Sequence, residues 1–593
     1  MHEGTTRRYW ETIRRLRFEQ ARHQLGRRLA KFLPQPVASK VPQPLPLAVR
    51  WGPRVARVRP EIDPAVLDGR FRYWDQERHL ELSRPWEDED LGKSWTYPVH
   101  YFDYFPGLVD GGGVRTVDSA GERTSSQPTA IPSGRDRDAS LFGFVESWLD
   151  AHPPGTGIAW EPYPTALRLV NWVDAIHALG NRAPSIWQQR CLHSIYLQAE
   201  WLTRRLERHL LGTHLWKDAK ALLIAASVFD DERSRRWKHT AARLLQRELE
   251  AHVRQDGSHV EPSIMYHCTA LEDLLDLLNF HHAVDAAFGA QIEAVAGRML
   301  EFANSVQTPA GGFPLLGDAW EGGAPSPAEL IAYAGRLGLP APAAPGPGMC
   351  SLPQAAVVAW RDARLYVLAD VGGVGPPHLS GHGHCDSLSF ELWAHATPIV
   401  VDSGTWSYEA GDKRHACRST RAHNTLEVDG REQHEIWSAF RVARRSAVEL
   451  LAVTPSSVEA ALVPWFDKRL RLCRVFTFEP GILRVDDRVE GPDTHRVVSR
   501  FHLHPACEME RSGDRLLVRH GHARVAISWP STSAPHVELL VGASGNSSPT
   551  AEPVPSYHAA KAGELRPNAV LQLTFVGELP LVSCLSFTVL DRL

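Results

Sequence analysis

The hydrophobic period of this chain changes once, and that change limits its fold more than any other feature. Up to about Leu339 the apolar residues recur at helical spacing: Leu167, Val170, Trp172 and Val173, then Ile195, Leu197, Trp201 and Leu202, then Leu222, Leu223 and Ala226, then Leu271, Leu274, Leu275 and Leu278. A Pro- and Gly-rich break follows at Gly338 to Met349, and beyond it the period is two. Ala356 to Trp360, Leu365 to Leu368, Cys473 to Phe478 and Ile482 to Val485 read as strands, with Pro480-Gly481 as a hairpin turn between the last two. Segments 496–504 and 516–529 continue the pattern. Helices in short-loop succession form α/α hairpins, and spacing does not separate a solenoid from a toroid. The strands fit an antiparallel β-sandwich. At 593 residues one core is not enough. The expected division is a helical arm and Pro-rich connector (1–60), a helical domain (61–339) and a β domain (340–593).

Charge excludes some functions. With 65 basic and 69 acidic residues the net charge is −4, so nothing draws the whole chain to nucleic acid or an anionic membrane, and a polyanion site must be local. No apolar run reaches the length of a membrane span. No apolar signal core follows Met1, so a cytoplasmic chain is expected. The eight cysteines are scattered without a Cys-x-x-Cys pair, which argues against a disulfide framework. Arg7 to Phe32 reads as an Arg-rich amphipathic helix, a docking arm on the body or on a partner. The aromatic block Trp95 to Phe105 reads as helix packing, and 111–137 as a long loop.

Most of the chemistry lies between Gly381 and Asn424. His382 and His384 flank one glycine, so an extended strand points both rings to one face. Asp402 ends a β-type run and His423 lies in a polar loop. Two histidines and a carboxylate at strand ends suit a metal such as zinc, with the other histidine left for proton transfer; they also suit a hydrogen-bonded seam between sheets. The helical half offers two further blocks. His214 and Lys217 share a helix face at i, i+3, and the block Asp256 to His267 is a polar turn feeding another helix, with Tyr266 near that helix's N-terminus. Each block alone also reads as a cap or a backbone-satisfied histidine.

Three of these segments together, Gly-His-Gly-His-Cys-Asp-Ser-Leu-Ser-Phe-Glu-Leu (381–392), Val-Asp-Ser-Gly-Thr (401–405) and Arg-Ser-Thr-Arg-Ala-His-Asn-Thr (418–425), resemble the C-terminal signature of the heparinase II/III-like polysaccharide lyases. The blocks around His214 and Tyr266, and Trp160 to Thr165 leading to Arg168 and Asn171, resemble segments of the same family's helical domain. The likeness runs in order from about Trp95 to Trp437 and fades beyond. It implies an α + β multidomain fold, an N-terminal incomplete (α/α) toroid followed by a C-terminal antiparallel β-sandwich. It implies β-elimination on a uronic-acid-containing anionic polysaccharide, glycosaminoglycan or alginate-like. Tyr266 is then the central acid/base, with His214 and His382 as partners. His384, Asp402 and His423 match a structural divalent-metal site, zinc before manganese or calcium. Thr213 departs from the family, where many members carry asparagine before the histidine; Lys217, Arg168 or Arg421 are the candidates to replace that contact. Arg418, Arg421 and Asn424 suit carboxylate or sulfate binding, or tie a loop to Glu427 or Asp429. Glu391 is placed to orient a histidine, and Gln433 and Trp437 to line a sugar groove. The alternatives are a metal-dependent glycan hydrolase and a non-catalytic glycan-binding or assembly protein of a surface-polysaccharide pathway.

Overall fold

The computed structural model describes residues 3–30, 64–74, 76–87, 90–110, 135–280, 283–530, 535–542 and 557–591. The Pro-rich connector and most of the 111–137 loop lie outside them. The helix Pro327–Arg336 and the first strand of the C-terminal sheets, Gly348–Leu352, bracket the composition break. Packing groups the chain differently from this change of period. One unit comprises Met1–Arg17, His252–Leu271 and Val295–Leu593, the other Phe18–Ala251 and Glu272–Ala294.

In the helical unit, Pro162–Leu179 packs on Ser185–Thr203 and Gly212–Ala226. Pro162 and Pro164 suit its first turn, where backbone N–H groups have no intrahelical acceptor. Of its periodic residues, Val170, Trp172 and Val173 are buried and Leu167 is half-buried; Leu169 and Ile176 are buried beside them. The aromatic block does the packing its composition suggests: Phe102 lies 5.8 Å from Trp148 and 5.3 Å from Trp172, and those two indoles are 5.2 Å apart. Each such ring removes enough apolar surface from water to contribute about 1.5–3 kcal/mol. Among the described residues no helix is long and apolar enough to cross a membrane.

In the other unit the sheets are antiparallel. A five-stranded sheet runs in chain order through Gly348–Leu352, Val357–Arg361, Leu365–Asp370, Phe390–Ala394 and Thr397–Val400. An eight-stranded sheet contains the hairpin Arg471–Glu479 and Ile482–Glu490, closed by the expected Pro480-Gly481 turn with Gly481 at φ 73°. A four-stranded sheet includes Leu426–Val428 and Thr494–His502. Alternate residues face a shared core in which Phe390 meets Phe476, Phe501 and Phe587. The arrangement is the expected α + β one, helices of an incomplete (α/α) toroid followed by an antiparallel β-sandwich. The helix Glu3–Ile13 docks on this unit: Arg8 pairs with Glu435 at 2.9 Å, Tyr9 stacks edge-on with Trp437 at 4.9 Å, and Trp437 Nε1 donates to Thr12 Oγ1.

Candidate functional site

The helix Ile264–Asn279 begins just after Ser263, whose Oγ accepts from Tyr266 N and donates to Asp318 O at 2.6 Å. Glycine holds the loops close here. A Cβ on Gly317, at φ 62°, would stand 2.3 Å from Pro262 O and 2.9 Å from His382 O, and one on Gly383 would stand 2.5 Å from Val374 O. The Tyr266 ring therefore stacks on His382, centroids 3.7 Å apart at 23°, and its hydroxyl is 3.0 Å from Tyr408 Oη.

Behind His382 lies a carboxylate at which four partners converge. Asp318, fully buried, accepts from His382 Nδ1 (2.9 Å), His384 Nε2 (2.9 Å), Thr405 Oγ1 (3.3 Å) and both terminal nitrogens of Arg414, Nη2 at 2.7 Å. Burial alone would raise its pKa; the Arg414 charge and the two histidine hydrogen bonds overcome that and hold it well below the ordinary carboxylate range. With Nδ1 tied to Asp318, His382 keeps Nε2 for proton exchange, 3.5 Å from Glu261 Oε2. Burial first, and then Asp318, push the Tyr408 phenol well above its usual pKa. The Arg414 guanidinium lies 4.9 Å from the Tyr408 ring and 5.0 Å from Phe440.

Next to this pair the expected metal residues divide. His384, Asp386 and His423 bring ligand-capable atoms within 4.8 Å of one another, all buried. Asp402 instead accepts from His423 Nδ1 at 2.7 Å and from Gly404 N, and so orients the ring. His384 Nδ1 and His423 Nε2 are buried with no hydrogen-bond partner. Two buried imidazole nitrogens without partners beside a carboxylate fit a divalent cation, so the donor set that suits a metal is His384, Asp386 and His423, with Asp402 supporting His423 from behind.

The remaining predicted residues have local roles. In the helical unit, His214 Nδ1 donates to Glu207 at 2.9 Å, and its ring packs 4.6 Å from Tyr163. Thr213 is buried in the first turn of its helix. Lys217 lies 2.7 Å from Asp273 in a buried network with Lys220 and Asp276. Arg168 is fully buried, donating to Gln198, His100 O and Ala159 O with its guanidinium 4.2 Å from Trp148. In the sheet unit, Asn424 is an internal strut: Nδ2 donates to Phe390 O and Val401 O, and Oδ1 accepts from His502 N. Arg421 stands 3.9 Å from Glu427, and Arg418 donates to Gly383 O and Ser438 O. Trp437 lies under the N-terminal helix, and Gln433 donates to Ser387 O and Thr425. Glu391 accepts from Leu315 N and Asp402 N rather than from a histidine, and burial pushes its carboxyl up to about 7. The sequence reading missed Asp318, Arg414 and Tyr408. The last two fall inside Gly381 to Asn424 but between its motif blocks; Asp318 sits in an isolated Gly-Asp-Ala-Trp loop far from them.

The heparinase II/III N-terminal family matches residues 143–331, and the heparinase II/III-like C-terminal family matches residues 344–581. Among solved structures, heparinase III is similar with TM-score 0.66 at 16% identity, over 85% of this chain and 78% of that one. A mutant of the heparan sulfate lyase HepC from Pedobacter heparinus is similar with TM-score 0.59 at 15% identity, over 97% of this chain and 88% of that one. Among curated proteins none matches the sequence. On the two family matches together, covering both the helical and the sheet-rich regions, the chain belongs to the heparinase II/III-like polysaccharide lyase family.

Proposed function

We propose that this polysaccharide lyase cleaves a uronate-containing anionic polysaccharide, glycosaminoglycan or alginate-like, by β-elimination. The observation that carries the reading is the stacked Tyr266–His382 pair, backed by the Asp318–Arg414 ion pair. Elimination removes the proton beside the uronate carboxylate, breaks the bond to the glycosidic oxygen and leaves a carbon–carbon double bond. The proton is weakly acidic, so charge developing on the carboxylate needs donors aimed at it. In this reading Tyr266 exchanges protons with the substrate as acid and base, within reach of the Tyr408 hydroxyl. His382, oriented through Nδ1, takes or relays the proton at Nε2 or donates there to the carboxylate. A divalent cation held by His384, Asp386 and His423 would supply charge that fixes the loops carrying His382. All three residues are buried, which favours a structural ion over the open coordination position a water-activating hydrolase needs.

The test is incubation with a panel of uronate polymers while following ultraviolet absorbance. A rise from unsaturated product supports elimination. Chain shortening without that absorbance, abolished by chelator, would replace it with hydrolysis.

A further inference from the structure

The two residues expected to line a sugar groove are engaged elsewhere: Gln433 is buried in hydrogen bonds and Trp437 lies under the N-terminal helix. A different aromatic residue stands beside the site. Ile436–Ser438 and Arg441–Val442 pair as a short antiparallel hairpin with Ala439 and Phe440 at its tip. Two buried arginines hold that tip by its carbonyls. Arg414 Nε donates to Ala439 O at 2.9 Å, and Arg418 Nη1 donates to Ser438 O at 2.7 Å and to Ala439 O at 3.1 Å. Arg414 also pairs with Asp318, which accepts from His382 Nδ1. The hairpin tip and the His382 ring are therefore fixed from one buried guanidinium. From this tip the Phe440 ring lies 5.8 Å from His382 at 75° and 5.2 Å from Tyr408 at 67°. It stays 38% exposed all the same. Apart from Tyr9, Trp10 and Phe18 of the two N-terminal helices, no other large aromatic side chain among the described residues is so exposed. A ring pinned this firmly but left partly in water forgoes much of the stabilisation that burial gives.

We propose that Phe440 is a platform on which one pyranose ring of the anionic polymer stacks by its C–H face, setting the bond to be broken against Tyr266 and His382. The choice of a sugar rests on the lyase reading and deepens it. The face of an aromatic ring carries negative potential, so it attracts the slightly positive C–H groups of a pyranose and repels carboxylate or sulfate oxygens. Phe440 thus takes hold of the polymer by its uncharged face and leaves the carboxylate to turn toward the donors of the site. A stacked sugar also covers the exposed part of the ring, which recovers the lost burial only when substrate is bound. Orientation by contact of this kind brings the reacting groups together without any charge on Phe440.

Wild type, Phe440→Ala, Phe440→Leu and Phe440→Tyr of the full chain are compared in three readouts: melting temperature, KM and kcat on the uronate polymer that wild type cleaves fastest, and calorimetric titration with hexasaccharides of the uronate polymers. The platform predicts that Phe440→Ala melts as wild type does and raises KM about tenfold with kcat little changed, as losing part of one apolar contact does. Phe440→Tyr, which keeps the π face, restores KM. Phe440→Leu, which restores volume alone, does not. An unchanged KM in Phe440→Ala, or full rescue by leucine, overturns the platform. So does a lowered melting temperature shared by Phe440→Ala and Phe440→Leu with kcat lost beside KM, which assigns the ring to packing. If wild type forms no unsaturated product from any polymer, the lyase reading falls and the titration decides the platform. Hexasaccharide binding that weakens in Phe440→Ala and returns in Phe440→Tyr upholds it; equal binding by all four proteins, or none by wild type, overturns it.

Discussion

Asp318 is the residue on which the site's geometry converges, because two imidazoles and a guanidinium meet one buried carboxylate. Asp318→Asn keeps the shape but leaves Arg414 as an uncompensated buried charge, so urea denaturation should show a loss of about 3–5 kcal/mol together with lost activity. Asn424→Ala should behave differently. Its amide satisfies Phe390 O, Val401 O and His502 N inside the sheet unit, so the expected result is lower stability, about 1–3 kcal/mol for each group left unmatched, with KM on the cleaved polymer unchanged. At this scale the sequence was legible in part. His382 and His384 stood out because a short glycine-flanked motif carries them, and Tyr266 because it follows a polar turn near the start of a helix. Asp318 did not, since nothing in an isolated loop aspartate says that it will be folded beneath two histidines more than sixty residues away.

At the scale of elements, periodicity revealed the helices and strands, and Pro480-Gly481 revealed a hairpin, because apolar spacing and turn chemistry are local properties. What an element touches is not local. The N-terminal helix read as a docking arm, but its contacts with Glu435 and Trp437 come from chain more than four hundred residues away. That docking has a pH signature. Burial would raise the Glu435 carboxyl, but hydrogen bonds from Arg444 and Arg8 outweigh it and hold it at about 2. An unfolded glutamate titrates near about 4.3. The depressed folded value means the stabilisation is fully present above the unfolded value and disappears as pH falls toward about 2. The melting-temperature gap between wild type and Glu435→Gln should therefore be constant from neutral pH to about 5 and close below that.

For the whole molecule, the order of helical and sheet-rich regions was legible, while the interleaving of residues 252–271 and 295–339 with the sheet unit was not. Hydrophobic pattern reports which face is buried but not which partner buries it. The same limit applied to the metal residues. The sequence marked His384, Asp402 and His423, but only the fold shows that Asp386 brings a carboxylate within 4.8 Å of ring nitrogens of both histidines and that Asp402 accepts from His423 Nδ1. If a divalent ion is held there, chelation should lower the melting temperature by on the order of 5 °C, and His423→Ala should abolish that response. In the proposed mechanism Tyr266 and His382 carry out the elimination together. Its most direct test is the rate of unsaturated-product absorbance from Tyr266→Phe beside wild type, on the uronate polymer that wild type cleaves fastest. A loss of about a thousandfold with unaltered melting is the predicted result. Full activity in the variant would contradict it.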